Sequence, residues 1–250
     1  MRFGFAAIVL VLLAAPLLAV LPISVTSGTV LSLHLPGVSL RWYGEFFESS
    51  RWMLAACNSF IIGCSTSVLA TALGFMAAWG MWRAAPSRLL SGVLNLPLVV
   101  PSVITGLAMY FAAAAAGLTG GYTGIVLAHT VLAIPYVVLT LLAALRRFDA
   151  GLLRAAASLG ADWRVSLRRV VVPSLGPAVA AAMLFAFAIS FDELIVALFL
   201  AGPGQYTLPR QMLAGISDIL TPTICAAAVV VSLVSVLAMG LASALLRKAG

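Results

Sequence analysis

The sequence predicts an all-α integral membrane protein with six transmembrane helices, and three observations predict it. Hydrophobic residues make up 63% of the 250 residues, charged residues only 8%, and the mean hydropathy is +1.17. A soluble globule carries roughly 25% charge, and 14 basic plus 7 acidic side chains cannot cover a water-facing surface on a chain this long. Six apolar stretches reach the length of about 20 residues that a helix needs to cross a hydrocarbon core of ~30 Å. They are far longer than the alternating strands of about 10 residues that build an outer-membrane barrel. The basic residues, finally, crowd every second connection, the pattern that orients helical membrane proteins.

Taken in order, the stretch at 3–25 follows Arg2, and its 23 residues favour a retained anchor over a cleaved signal peptide. The segment 26–52 holds Pro36, Gly37, Trp42, Tyr43 and four charges, as in an outer loop with short interfacial helices. Spans at 53–82, 89–116 and 122–145 follow with short connections. The segment 146–177 is the only inner connection with room for structure. Asp149 predicts a cap for a helix over 150–159, and Gly160 a left-handed end to it. Asp162 predicts a second helix from 163 to about 171, halted by Pro173 and Pro177. That helix would carry Trp163, Leu167 and Val170 on one side and Arg164, Arg168 and Arg169 on the other. The fifth span, 178–200, contains Asp192 and Glu193. After it, Gly202-Pro203-Gly204 leads into Leu208, Met212, Leu213, Ile216 and Ile219 at near-helical spacing, which predicts a re-entrant or interfacial amphipathic helix with Arg210 and Asp218 on its rim. The sixth span is 222–246.

With the N-terminus inside, the inner segments hold Arg2, Arg83, Arg88, Arg146, Arg147, Arg154, Arg164, Arg168, Arg169, Arg247 and Lys248, and the outer ones only Arg41, Arg51 and Arg210. Eleven against three places both termini in the cytoplasm and explains the net charge of +7 as topology rather than nucleic-acid binding. Cys57, Cys64 and Cys225 all lie in apolar runs and frame neither disulfides nor a zinc site. The only lysine is Lys248, so no phosphate-binding loop ending in Gly-Lys-Ser/Thr exists. His34 and His129 stand apart from any hydrolytic constellation. The chain therefore reads as a non-enzyme with no catalytic residue, metal or cofactor of its own.

Asp192 and Glu193 are the only acids in any span. A carboxylate at the bilayer centre costs ~2.5–3.5 kcal/mol on insertion scales, so such residues face water, a partner or a ligand. On a continuous helix of 100° per residue, Asp192 falls near Phe185, Ile189 and Val196, and Glu193 near Ser190 and Ala197, which gives the two acids different roles. One reading lines a pathway for a cationic solute with Asp192, Glu193, Ser190 and Phe191; the other makes the acids an interhelical or cross-subunit hydrogen-bond pair that holds a gate closed. Tyr110, Phe185 and Phe187 either line the same passage or pack in the core.

The run Arg154-Ala155-Ala156-Ala157-Ser158-Leu159-Gly160, nine residues, then Val170-Val171-Val172-Pro173, resembles the cytoplasmic signature loop of ABC importer permeases: Glu-Ala-Ala, three residues, Gly, nine residues, Ile-x-Leu-Pro. Arg154 stands where that signature has Glu and reverses its charge, which bears on the ion pair the Glu implies with the ATPase but leaves the docking knob. Asn58-Ser59 and the Pro97, Pro101, Gly106 series are similar to the second and third spans of the same family. Ser190-Phe191-Asp192-Glu193, Gly202-Pro203 and Thr207-Leu208-Pro209 resemble the polyamine branch, in particular the second permease subunit of spermidine/putrescine importers.

The resemblance implies a type I importer permease (MetI-like) fold, one permease domain over 1–250, in the bacterial inner membrane. It implies a homologous permease partner, a cytoplasmic ATPase dimer holding ATP and Mg, and an external solute-binding protein. Coupling to the ATPase would fall to Arg154, Ala155, Ala156, Gly160, Asp162 and Pro173. A polyamine-like cation is the implied cargo, with opines and aminophosphonates as alternatives within the branch. The rival of another class is a proton-coupled carrier using Asp192, Glu193 and His129, which leaves the 146–177 loop without a purpose.

Overall fold

The computed structural model describes residues 11–12, 15, 18–32, 36–84, 88–218 and 220–248. Arg2, His34, Ile219 and most of the predicted 3–25 span lie outside them, as does the side chain of Asp218. The chain is helical at 18–24 (α1), and a short irregular stretch closed by a Thr26–Val38 bridge leads to α2 (Arg41–Glu48). Next come α3 (Ser50–Ala84), α4 (Arg88–Val99), α5 (Ser102–Ala115) and α6 (Tyr122–Leu145). The loop that follows folds as α7 (Gly151–Ser158), α8 (Trp163–Ser166), a π turn (Leu167–Val171) and α9 (Val172–Ser174). The remainder is α10 (Gly176–Phe191), α11 (Ile195–Leu200), α12 (Leu208–Asp218) and α13 (Thr223–Lys248). No strand occurs among the described residues.

Three of these helices, Ser50–Ala84, Tyr122–Leu145 and Thr223–Arg247, are long and apolar enough to cross a membrane, and counting two bent pairs as single spans raises the number to five. The centre of the bundle is α3 packed on α6 and α10, with α10 also against α6 and α13. Small residues make that packing close. Ala55, Ser59, Gly63, Ser67, Ala70, Gly74 and Ala78 run down the buried side of α3, so backbones approach and dispersion contacts replace the missing hydrophobic drive. At Gly74 a Cβ would stand 2.5 Å from Val137 Cγ1, a separation no side chain tolerates without moving α6.

The core has two polarised ends. Met81, Leu145, Val171, Leu175 and Ala178 form one cluster, with Trp82, Phe148 and Leu246 packed on it; Phe46, Trp52, Leu208 and Ile224 form another with Phe191. Arg83, Arg146, Arg147, Arg154, Arg164, Arg168, Arg169 and Arg247 sit on segments joined to the first cluster, and Arg41, Arg51 and Arg210 on those joined to the second. The charge asymmetry of the sequence is thus an asymmetry of the molecule. Trp79 stacks on Trp82 at 5.2 Å, and Phe148 meets Trp82 at 6.1 Å, an aromatic cluster suited to the membrane interface.

Two expected spans are not continuous. The 89–116 span breaks at Val100-Pro101 and turns through 113°. Pro101 has no N–H and holds an extended conformation (φ −54°, ψ 135°), and its ring pushes Val100 out of the helical region. The 178–200 span breaks at 192–194, where α10 ends on Asp192 (φ −96°, ψ 0°) and α11 begins three residues later. The Glu193 carboxylate accepts from the Val196 N–H, a local bond that competes with continuation of the helix. Asp192 still follows α10, its N–H donating to Ala188 O at 3.1 Å, so its placement near Phe185 and Ile189 stands, but Val196 lies beyond the break and no longer belongs to that wheel. The fifth span also starts earlier, at Gly176, with Pro177 in its first turn, where a missing N–H costs nothing.

Candidate functional site

Two places concentrate polar chemistry. The first is the knob between α6 and α10. Asp149 Oδ1 accepts from the Gly151 N–H at 2.7 Å and starts α7. Gly160, at φ +81°, ends it: its N–H donates to Ala157 O (2.9 Å), and the Ala161 N–H reaches back to Ala156 O (3.0 Å), a Schellman closure that only a left-handed residue permits. Asp162 Oδ1 then accepts from the Val165 N–H at 2.7 Å and caps α8. The Gly160 end and the Asp162 cap lie where the sequence puts them, whereas the N-cap of α7 is Ala150 and Asp149 closes the turn just ahead of it. Asp162→Ala is expected to weaken α8 by about 1 kcal/mol and to speed hydrogen exchange at the Val165 amide; unchanged protection there would refute the cap.

The second helix of the knob differs from expectation in two respects. Pro173 does not halt it. The chain widens to a π turn over Leu167–Val171, the Val172 N–H reaches five residues back to Leu167 O, and Pro173 follows with its ring accommodated. The helix's apolar residues are also unequally covered: Leu167 and Val171 turn into the core, whereas Trp163 is 60% exposed with the Arg164 guanidinium 5.5 Å from its ring centre. Arg154, Ala155 and Gly160 are exposed, Ala156 is half-buried against the rest of the knob, and Leu159 is 89% exposed.

The second place is the meeting of the two breaks. Pro97, Val100, Ser102 and Thr105 from α4–α5 share with Glu193 and Val196 the lining of a cavity of about 180 Å³, to which α6 contributes Tyr136. Glu193 Oε1 accepts from the Val196 N–H at 3.0 Å, capping α11, where a negative charge meets the positive helix end. Asp192 is exposed beside it. The other two residues expected on the pathway lie inside the protein. Ser190 is 2% exposed with its Oγ 2.8 Å from His129 Nδ1, and Phe191 is buried, stacked on Phe187 at 5.3 Å. His129 is thus not isolated: it ties α6 to α10 just ahead of the break. Among the described residues no group of three or more His, Cys, Asp or Glu stands close enough to hold a metal ion.

Sequence reasoning missed a latch at the opposite end from the knob. Asn58, 1% exposed, donates from Nδ2 to Gly204 O and Tyr206 O, both at 3.0 Å, and accepts from the Tyr122 hydroxyl at 2.7 Å. Its neighbour Ser59 accepts from the Leu208 N–H at 2.7 Å. Together they pin the segment between α11 and α12 to the top of α3. The available signal was two adjacent hydrogen-bonding side chains opening an otherwise apolar span.

Residues 70–249 match the family described as binding-protein-dependent transport system inner membrane component. The chain is 32% identical over 228 residues to the putrescine transport system permease protein PotI of Escherichia coli, covering 88% of this chain and 81% of that one. It is 28% identical over 218 residues to the spermidine/putrescine transport system permease protein PotC of Haemophilus influenzae, covering 86% and 85%. Its fold matches a chain in the crystal structure of a bacterial alginate ABC transporter in complex with an alginate pentasaccharide-bound periplasmic protein, with TM-score 0.69 at 14% identity over 99% of this chain and 93% of that one.

Proposed function

Because the chain belongs to the binding-protein-dependent transport system inner membrane components, the permease subunits of ABC importers, we propose that it forms half of a pore for a small cationic solute of the polyamine kind, driven by a separate ATPase. The observation that carries the coupling is the knob. Leu152, Leu159, Trp163 and Val165 are exposed on a structured element at the basic end of the bundle, and apolar side chains displayed in this way call for a protein partner. The proposed partners are a homologous permease, a cytoplasmic ATPase dimer that holds ATP and Mg, and an external solute-binding protein. In this reading the whole chain is one permease domain with six spans. The first lies near 3–25, the α4–α5 and α10–α11 pairs each count as one, and both termini are cytoplasmic. Arg154, Ala155, Ala156, Gly160, Asp162 and Pro173 belong to the coupling element.

Closure of the ATPase dimer would move α7–α9 as a unit and, through Val171 and Leu175, swing α10 about its 72° bend. The two breaks then change their spacing, and the Glu193 cavity opens or shuts. A proton-coupled carrier is set aside by the family assignment, and the hydrogen-bond partner of His129 is a serine rather than an acid. Cargo rests on the relatives named for putrescine and spermidine and on the two acids at the break.

The test is ATP-dependent uptake of labelled putrescine, spermidine and aminophosphonates by proteoliposomes holding this chain with the products of its neighbouring reading frames. Uptake needing both ATP and a binding protein supports the reading; uptake driven by a proton gradient alone overturns it. In the same assay Asp192→Asn is expected to lower dication uptake roughly fivefold, the equivalent of about 1 kcal/mol for one charge pair in a watery site. Wild-type rate and affinity in that variant would exclude Asp192 from attracting the solute.

A further inference from the structure

We propose that the surface receiving the knob is an apolar groove rimmed by carboxylates, with one carboxylate opposite Arg154. The inference rests on the reading that the knob docks on the ATPase, and it specifies that partner's chemistry. Four arginines, Arg154, Arg164, Arg168 and Arg169, stand exposed on the 149–173 segment. Only two acids accompany them, Asp149 and Asp162, each bonded to a local backbone amide, so four positive against two negative charges leave the segment at +2. The exposed side of α7 carries Leu152, Ala155 and Leu159 in one row, with Arg154 and Ser158 alongside. Leu153 and Leu167 pack against the core cluster that contains Val171, so the opposite surface, with Leu159 and Arg154, is turned away from the bundle.

A partner covering Trp163 must also desolvate Arg164, whose guanidinium stands 5.5 Å from the ring centre, and one covering the exposed side of α7 must desolvate Arg154. Taking a guanidinium out of water without an opposite charge costs several kcal/mol, so a stable contact requires carboxylates at the rim. Arg154 is the most telling, because it is the only charged residue of α7 and stands beside the exposed row of Leu152, Ala155 and Leu159. The same charge acts against the wrong partner. An ATPase presenting an arginine at that point would meet Arg154 as a like charge, so the position selects which ATPase this permease accepts.

The experiment co-expresses the full chain with its ATPase and reads complex recovery and ATP-driven uptake for Arg154→Ala, Arg154→Glu and Leu159→Asp. Size-exclusion profiles confirm that each variant is folded, as expected for exposed positions. Arg154→Glu is expected to lower uptake at least tenfold at low salt and Arg154→Ala severalfold, and a Lys replacing the facing ATPase carboxylate should restore Arg154→Glu but not Arg154→Ala. Arg154→Glu at wild-type level, or the lack of any rescuing carboxylate, overturns the proposal. If Leu159→Asp releases the ATPase while Arg154→Glu does not, the docking reading stands and the charge inference alone falls; if Leu159→Asp also leaves the complex intact, the docking reading falls with it. Recovery unchanged in all three variants, with weaker binding of Arg154→Glu to vesicles of anionic phospholipid, assigns the surface to the membrane and overturns both.

Discussion

Valine at Gly160 is expected to abolish coupled transport while leaving the permease inserted and assembled. Gly160 sits at φ +81°, and a Cβ there would meet nothing within 4 Å, so the penalty comes from the backbone and not from crowding. A β-branched residue in this left-handed conformation costs about 2 kcal/mol. The chain avoids that cost by leaving it, and with it goes the closure from Ala161 to Ala156 that fixes the angle between α7 and α8. Uptake should fall at least tenfold, and loaded binding protein should no longer stimulate ATP hydrolysis. Asparagine, which enters the left-handed region more readily than other side chains, should retain most of the activity. The pair of variants is diagnostic. Normal stimulated hydrolysis in Gly160→Val would show that the turn does not transmit motion.

The second large effect is expected from Asn58→Leu. The replacement keeps the branched outline and the number of side-chain heavy atoms and removes every polar atom of a side chain that makes three hydrogen bonds. An abandoned buried partner costs about 1–3 kcal/mol, but Tyr122 and Gly204 are exposed and recover part of this from water. The net loss should therefore be about 2–4 kcal/mol, seen as a lower melting temperature and faster amide exchange over 201–207. Solute delivery from the outside should suffer, while ATP hydrolysis in the absence of binding protein stays unchanged. Asn58→Asp keeps the acceptor for Tyr122 and should lie between the two. Equal melting temperatures for wild type and Asn58→Leu would show that the latch contributes nothing.

Much of this was legible in the residues. Asp149, Gly160 and Asp162 announce the knob because this chemistry is local: a carboxylate two or three residues ahead of an amide, or a glycine at a left-handed position, acts within one turn. The α6 helix coincides with the expected 122–145 because nothing in it interrupts both hydropathy and backbone; Pro135 lies inside it without ending it. The two breaks were not legible as breaks. Hydropathy averages over about 20 residues and is blind to a two-residue change in ψ, so Pro101 and the Asp192-Glu193 pair vanished into apolar runs. The His129–Ser190 contact and the Asn58 latch join residues 61 and up to 148 positions apart, and only the packed bundle brings them together. The π turn escaped for a third reason: a shift of phase by one residue leaves no mark on composition.

The length of α3 has a consequence of its own. At 35 residues it rises about 52 Å, well beyond the hydrocarbon thickness of ~30 Å. One end holds Asn58 and the other Trp79 and Trp82, so one unbroken rod joins the latch to the aromatic collar. A bilayer of different thickness meets such a rod by changing its tilt. Tilting would slide the latch and the collar in opposite directions, which makes lipid chain length a mechanical variable for this subunit, set by the host membrane rather than by nucleotide or solute.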